Sequence, residues 1–253
     1  MITIISSAKT MNFDVKSLEI ATLVAFEKEV GEIINICKNL ERNDIKKLML
    51  VSDTIADLNY KRFQEFFSHN TPQKQALFAY NGDVYTAIKT EYFTKEDSQF
   101  AQDSVRILSG LYGVLRPMDL IRPYRLEMGA KLKNNLGKNL YFFWNSRITN
   151  YIAENLKKQD NKILVNLASK EYSRVINRHN FPDKMVDIIF QEKRNESIRV
   201  IPINSKKARG VMLNFIIKEK VNTIEHLKGF EESGYKFDKT LSSDSEFFFT
   251  RLL

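Results

Sequence analysis

Cysteine is nearly absent from this chain, with Cys37 alone among 253 residues. A single thiol excludes an internal disulfide framework and a cysteine-built iron–sulfur site, and it fits a reducing compartment, the cytoplasm. Histidine is almost as scarce. His69, His179 and His226 lie far apart with no Glu-x-x-His or His-x-x-x-His spacing, so no metal centre is expected. Nine glycines and five prolines are too few for a flexible linker, and no repeat or low-complexity tract divides the chain. Residues 1–253 therefore read as a single domain. No apolar run is long enough to span a membrane, and Met1-Ile2-Thr3-Ile4-Ile5 is too short for a signal segment, so no membrane partner is expected. The glycines of a P-loop are missing as well. Ser6-Ser7-Ala8-Lys9-Thr10 offers a Lys-Thr pair without the backbone that wraps a triphosphate, and no cofactor is expected.

What remains is a globular composition, 43% hydrophobic and 28% charged. Apolar strands alternate with helices, which predicts a mixed α/β fold with a mixed sheet and flanking helices. The pattern places strands at 1–5, 162–168, 185–191 and 198–204, and helices near 24–40, 43–51, 54–67, 96–109, 145–158 and 206–220. Short strands are expected on either side of the turn Asn81-Gly82-Asp83. Cys37 shares an apolar helical stripe with Ile33, Ile34 and Leu40 and reads as a buried structural thiol.

The net charge of +8 is unevenly spread. Arg116 to Lys138 holds six basic residues against two acidic ones, a net of +4, and Lys193 to Lys220 holds eight against two, a net of +6. The rest of the chain sums to −2. Two segments thus carry the whole excess, as expected if they form one surface for a polyanion, although solvated charged faces give the same pattern.

Within the first window lies Leu108-Ser109-Gly110-Leu111-Tyr112-Gly113-Val114-Leu115. Upstream, Phe100, Ser104, Ile107, Leu108 and Leu111 recur near helical period, Thr94 with Asp97 forms a capping box, and Gly110 falls where a left-handed C′ residue is expected. These features predict a helix-hairpin-helix-like element over about 96–122, with the amides of Gly110, Leu111, Tyr112 and Gly113 turned outward to phosphate and Arg116, Arg122 and Arg125 beside them. An ordinary helix C-cap followed by a turn is the alternative. Pro117 holds Arg116 away from the α region, which shortens or displaces the second helix.

Three strand exits carry the remaining chemistry. Lys9 follows the first. Asn166, Ser169 and Glu171 follow the second, with Ser169 placed to cap a helix. At the third, Ser205 reads as an N-cap with Lys206, Lys207 and Arg209 crowded behind it, where cations at a positive helix end suggest a bound anion. If the exits converge, Lys9, Asp83, Tyr85, Glu127 and Glu171 form a catalytic set, with Arg125, Asn166 and Arg209 beside them, suited to acid–base or imine chemistry on a nucleotide or a flipped base. Buried salt bridges supporting the fold are the competing account. Tyr112, Tyr124, Tyr141, Phe142, Phe143 and Trp144 lie near the basic windows, so RNA or unpaired strands join double-stranded DNA as expected partners. No nucleophile–base spacing is legible, which places binding ahead of catalysis.

The same residues also resemble a known group. Ser6-Ser7-Ala8-Lys9-Thr10, Gly82-Asp83-Val84-Tyr85-Thr86, Leu108 through Pro117, Tyr124-Arg125-Leu126-Glu127-Met128-Gly129, Asn166-Leu167-Ala168-Ser169 with Glu171-Tyr172, Lys206-Lys207-Ala208-Arg209-Gly210, and Gly234-Tyr235 with Phe237-Asp238 are similar, in order, to the YaaA-like peroxide-stress family of bacterial proteins. Ser7 and Ala87 depart from it, where the family usually has proline and glycine. The resemblance implies a cytoplasmic α/β protein with a helix-hairpin-helix element and a positively charged cleft. It further implies DNA binding without clear sequence preference, lower intracellular free iron and reduced oxidative DNA damage.

Overall fold

Ile2, Ile4 and Ile5 are wholly buried, and the strand they form, β1 (Ile2–Ser6), sits inside the main sheet because both of its faces are covered. The computed structural model describes residues 1–14 and 20–253. Beyond β1 the chain forms β2 (Thr10–Met11), α1 (Glu27–Lys38), α2 (Arg42–Met49), α3 (Asp53–Gln64), β3 (Lys74–Gln75), α4 (Ala76–Ala79) and β4 (Tyr80–Asn81). The middle of the chain gives α5 (Lys95–Ser104), β5 (Val105–Ser109), β6 (Gly113–Leu115), β7 (Leu120–Ile121), α6 (Leu140–Leu156), β8 (Ile163–Asn166) and α7 (Lys170–Ser173). The last third gives β9 (Lys184–Arg194), β10 (Ser197–Arg199), α8 (Pro202–Lys218), α9 (Ile224–Lys228), β11 (Tyr235–Phe237) and β12 (Glu246–Leu252).

Among the described residues, the main sheet has eight strands in the order β11-β12-β9-β8-β1-β5-β6, with β10 on the side of β9. Five neighbours, β12, β9, β8, β1 and β5, run parallel, while β6, β10 and β11 are antiparallel additions. The expected mixed α/β architecture is therefore present as one compact domain. Parallel strands all end on one edge, so Ser6 of β1, Ser109 of β5 and Asn166 of β8 leave the sheet together. The crevice outside such an edge is where open α/β sheets hold ligands.

Several local expectations are corrected. The helix predicted over 96–109 stops at Ser104, although Thr94 and Asp97 do form its capping box. Val105–Ser109 is a strand buried at every position, parallel to β1 through Ile4↔Arg106 and Ile5↔Ile107. Its branched residues and two covered faces favour sheet over helix. The two glycines then close a hairpin of strands, with Ser109 paired to Gly113. Residues 96–122 therefore run helix, strand, turn, strand and short strand rather than helix-hairpin-helix. The strand predicted over 198–204 is confined to β10, because Pro202, with its fixed φ and no N–H to lose, opens α8 four residues before the expected start. Residues 76–79 are helical, and β4 pairs with β2 rather than folding back around Asn81-Gly82-Asp83. Strand β12, with Phe247 and Phe249 buried, was not expected at all.

Candidate functional site

At the carboxyl edge of β1 and β8 lies a cavity of about 450 Å³ whose walls include Lys9, Asp83, Tyr85, Glu171, Lys206 and Arg209. Residues from four separate stretches of sequence thus meet at the strand ends. Glu127 and Arg125 stand behind Lys9. The Lys9 ammonium is 3.3 Å from Glu127 Oε1, and Arg125 Nη2 is 3.0 Å from the same oxygen, while Glu127 Oε2 is buried without a hydrogen-bond partner. On the opposite wall, Glu171 Oε1 accepts the Gly129 N–H at 3.0 Å. A Cβ on residue 129 would sit 2.9 Å from that carboxylate oxygen, so a larger residue there would displace the Glu171 carboxylate.

The floor is neutral. Tyr85 donates its hydroxyl to the Ser6 carbonyl at 2.9 Å. The Tyr80 and Tyr124 hydroxyls are 2.6 Å apart, and that of Tyr124 is also 2.6 Å from Ser109 Oγ. Burial pushes the Tyr124 phenol up to about 12 and raises Tyr85 and Tyr172 as well, so none of them ionises near neutrality. Ser169 occupies the expected N-cap position of α7, but its side chain makes no cap. Instead its N–H donates to Ser6 Oγ at 2.9 Å, and Ser6 Oγ donates to Ser169 Oγ at 3.3 Å, tying the first two exits together.

Helix α8 delivers the cations. Ser205 donates its N–H to Ile201 and lies inside the helix rather than at its cap, so Lys206, Lys207 and Arg209 sit past the first turn. The crowding of cations on a helix end is therefore not what marks this segment. The mark is Arg209 itself. Its Nε is buried, and among the described residues its guanidinium has no hydrogen bond or ion pair. Burial lowers its pKa, yet an arginine keeps its charge. Gly210 beside it allows α8 to press against the 82–87 turn, since a Cβ there would lie 2.0 Å from the Val84 carbonyl oxygen.

Arg209 also lines a second, larger cavity of about 1080 Å³ that the sequence did not foretell. In it Asp187 accepts the Asn166 amide and the Arg178 guanidinium, each at 2.7 Å. Arg174 lies over the ring of Tyr141 at 5.2 Å, and Tyr141 donates its hydroxyl to the Glu171 carbonyl at 2.8 Å. Asn145, on the same wall, holds φ 39° and ψ −126° inside α6, a conformation that costs of order 1–3 kcal/mol. The spacing of Lys170, Arg174 and Arg178, four residues apart directly after a strand exit, is the sequence signal that could have found this wall.

The glycine hairpin stands elsewhere. Gly110, Leu111, Tyr112 and Gly113 are all buried, so the expected outward-facing amides do not exist. Tyr112 donates its N–H to Ser109 Oγ at 3.0 Å, and the Trp144 indole donates to the Gly110 carbonyl at 2.9 Å. The glycines serve packing. A Cβ on Gly110 would come 2.4 Å from the Leu126 carbonyl oxygen, and Gly113, at φ 69°, faces Trp144. The hairpin thereby supports the backbone that carries Glu127. Arg116 is spent on the wholly buried Asp119 and the Leu23 carbonyl, Arg122 on the Ser68 and Thr71 carbonyls, and Arg125 on Glu127. Of the basic residues expected to meet DNA, Lys206, Lys207 and Arg209 are those whose side chains make neither a hydrogen bond nor an ion pair among the described residues, and Lys206 and Lys207 are exposed.

Among the described residues, no three His, Cys, Asp or Glu side chains gather as a metal site, and no helix is long and apolar enough to cross a membrane. The fold and site define a mixed α/β protein with a cation-bearing crevice at its parallel strand ends. Residues 1–241 match the family model described as peroxide stress protein YaaA, and the chain belongs to that family. It is 43% identical over 254 residues to a UPF0246 protein of Saccharophagus degradans, covering 99% of each chain. It is 42% identical to UPF0246 proteins of Crocosphaera subtropica and Acaryochloris marina, covering 99% of this chain and 100% of each relative. The family supports a role in peroxide stress.

Proposed function

We propose that this protein serves peroxide resistance by binding double-stranded DNA through its backbone phosphates, without reading sequence, across the crevice formed by the two cavities, and so limits free-iron-driven damage to the bound DNA. The observation that carries the reading is Arg209, a charged side chain with a buried, unpartnered Nε in the wall common to both cavities. A buried donor left unsatisfied costs about 1–3 kcal/mol, and a phosphate oxygen would satisfy it. Lys206 on one side and Lys170 and Arg174 on the other extend the same charge. Phosphate contacts of this kind give affinity without sequence preference.

Fluorescence anisotropy of a labelled duplex across a salt series tests the proposal. The log of affinity falls with log salt by about 0.9 per phosphate neutralised, and Lys206→Ala with Lys207→Ala flattens the slope by up to about two units. An unchanged slope removes this part of α8 from the DNA site.

An enzyme acting on a nucleotide or base is the second reading, favoured by the Lys9–Glu127 pair beside Glu171 and Asp83 at a cavity of ligand size. Glu171→Gln with intact DNA binding but lost rescue of a peroxide-sensitive strain supports it. Retained rescue removes Glu171 from any catalytic role.

A further inference from the structure

Resting on the nucleic-acid reading, we infer that the crevice takes an unpaired DNA strand, with one nucleotide in each cavity and the phosphodiester between them on Arg209. The two cavities, about 450 and 1080 Å³, are of small-ligand size and adjoin through a single shared side chain, which among the described residues is a cation without a partner. A strand threading both places its bases on either side of the linking phosphate, and this is the spacing that one arginine between two compartments can serve. A guanidinium donates two parallel hydrogen bonds to phosphate oxygens, and its planar fork gives the contact its direction.

Each compartment offers what an unpaired base needs. In the larger one the Arg174 guanidinium already lies over Tyr141, and Arg174 is exposed, so it offers a plane on which a base stacks regardless of sequence. The Asn166–Asp187–Arg178 network stands in the same cavity as a set of fixed polar groups. In the smaller one the floor is built from uncharged tyrosines, Tyr85 and Tyr172, with Lys206 at the wall. A nucleotide of duplex DNA that has left the stack offers the same unpaired base, so damaged or frayed sites are the ones held most tightly.

The test compares fluorescein-labelled single-stranded dT10 with a blunt ten-base-pair duplex by anisotropy, for the wild type, Arg209→Gln and Arg174→Ala. We expect dT10 to bind at least as tightly as the duplex. Arg209→Gln should weaken dT10 at least tenfold and flatten its salt slope by about 0.7, the single-strand increment for one phosphate. Arg174→Ala, a change at an exposed side chain, should weaken dT10 at least fivefold. A duplex bound more tightly than dT10, with dT10 unaffected by Arg174→Ala, overturns the inference and leaves the duplex proposal standing. Failure of both probes to bind at low salt overturns both. Thermal denaturation followed by circular dichroism shows whether Arg209→Gln is folded, and the Arg174→Ala arm decides the matter if it is not.

Discussion

Glu127 Oε1 holds Lys9 at 3.3 Å and Arg125 at 3.0 Å, so a single carboxylate oxygen fixes two cations drawn from opposite ends of the site's first half. Lys9 follows strand β1, and Arg125 follows the hairpin of β5 and β6. The contact therefore locks the first strand exit to the hairpin segment. Replacing Glu127 by Gln should cost about 1–3 kcal/mol in denaturant-induced unfolding, because Arg125 is largely buried and loses its charged partner. An unchanged midpoint with an unchanged denaturant slope would show that the triad is not formed in solution.

Gly110 and Gly113 matter to folding and not to phosphate contact. Gly110→Ala drives a methyl group into the Leu126 and Glu127 backbone, and Gly113→Ala forces a side chain onto Trp144 at positive φ. Each should cost about 3 kcal/mol or more. DNA affinity measured per folded molecule should stay unchanged. A variant of native stability that has lost DNA binding would return the hairpin to the site.

The sequence made the strands at Ile2–Ser6, Ile163–Asn166 and Lys184–Arg194 legible, because parallel strands covered on both faces read as short apolar runs. It misled at Val105–Ser109. Apolar residues there continue the helical period of α5, and only pairing with β1 makes them a strand, a long-range fact that no local spacing records. The same limit applies to the site. Lys9 and Glu171 were recognisable as residues that follow strand ends, and the parallel strands β1 and β8 end together, whereas Asp83, Tyr85 and Arg209 reach the cavity from the 82–87 turn and from inside α8. The cavity containing Asn145, Tyr141 and Asp187 was not, since it depends on where α6 and β9 lie against α8. Charge counting also overstated the first basic window. Arg116, Arg122 and Arg125 are bound internally, and burial of their partners, which sequence does not display, decides that.

Asp97 should give the fold an acid limb. Burial alone would push its carboxyl up, but Lys218 at 2.8 Å, the Lys220 ammonium and the Thr94 N–H outweigh this and hold it well below the usual carboxylate range. A carboxyl whose folded pKa lies below its unfolded value near 4 contributes its full stability above that value, and the contribution is lost as pH falls through the folded pKa. The stability gap between wild type and Asp97→Asn should therefore be constant from about pH 5 to 8 and shrink below about pH 4. A gap that persists undiminished at pH 3 would contradict the role given to Lys218 and Lys220.

Cys37 should take no part in peroxide chemistry. It is wholly buried in α1, and burial pushes its thiol up to about 12, so the reactive thiolate is negligible at neutral pH. The intact mass of the folded protein should not change on exposure to hydrogen peroxide at levels that oxidise exposed thiols, apart from methionine oxidation. Cys37→Ala should still rescue a peroxide-sensitive strain. A sulfenic or sulfinic acid at Cys37 in the folded protein would place a thiol reaction at the centre of the function instead.

The most direct test of the central claim is a lysine-reactivity footprint, in which the protein is acetylated with and without saturating duplex DNA and each lysine is quantified by mass spectrometry. DNA bound across the two cavities should protect Lys9, Lys170 and Lys206 and leave Lys131 and Lys133, exposed in the other basic window, as reactive as before. Protection of Lys131 and Lys133 with Lys9, Lys170 and Lys206 unchanged would place the nucleic acid elsewhere on the protein and contradict the account.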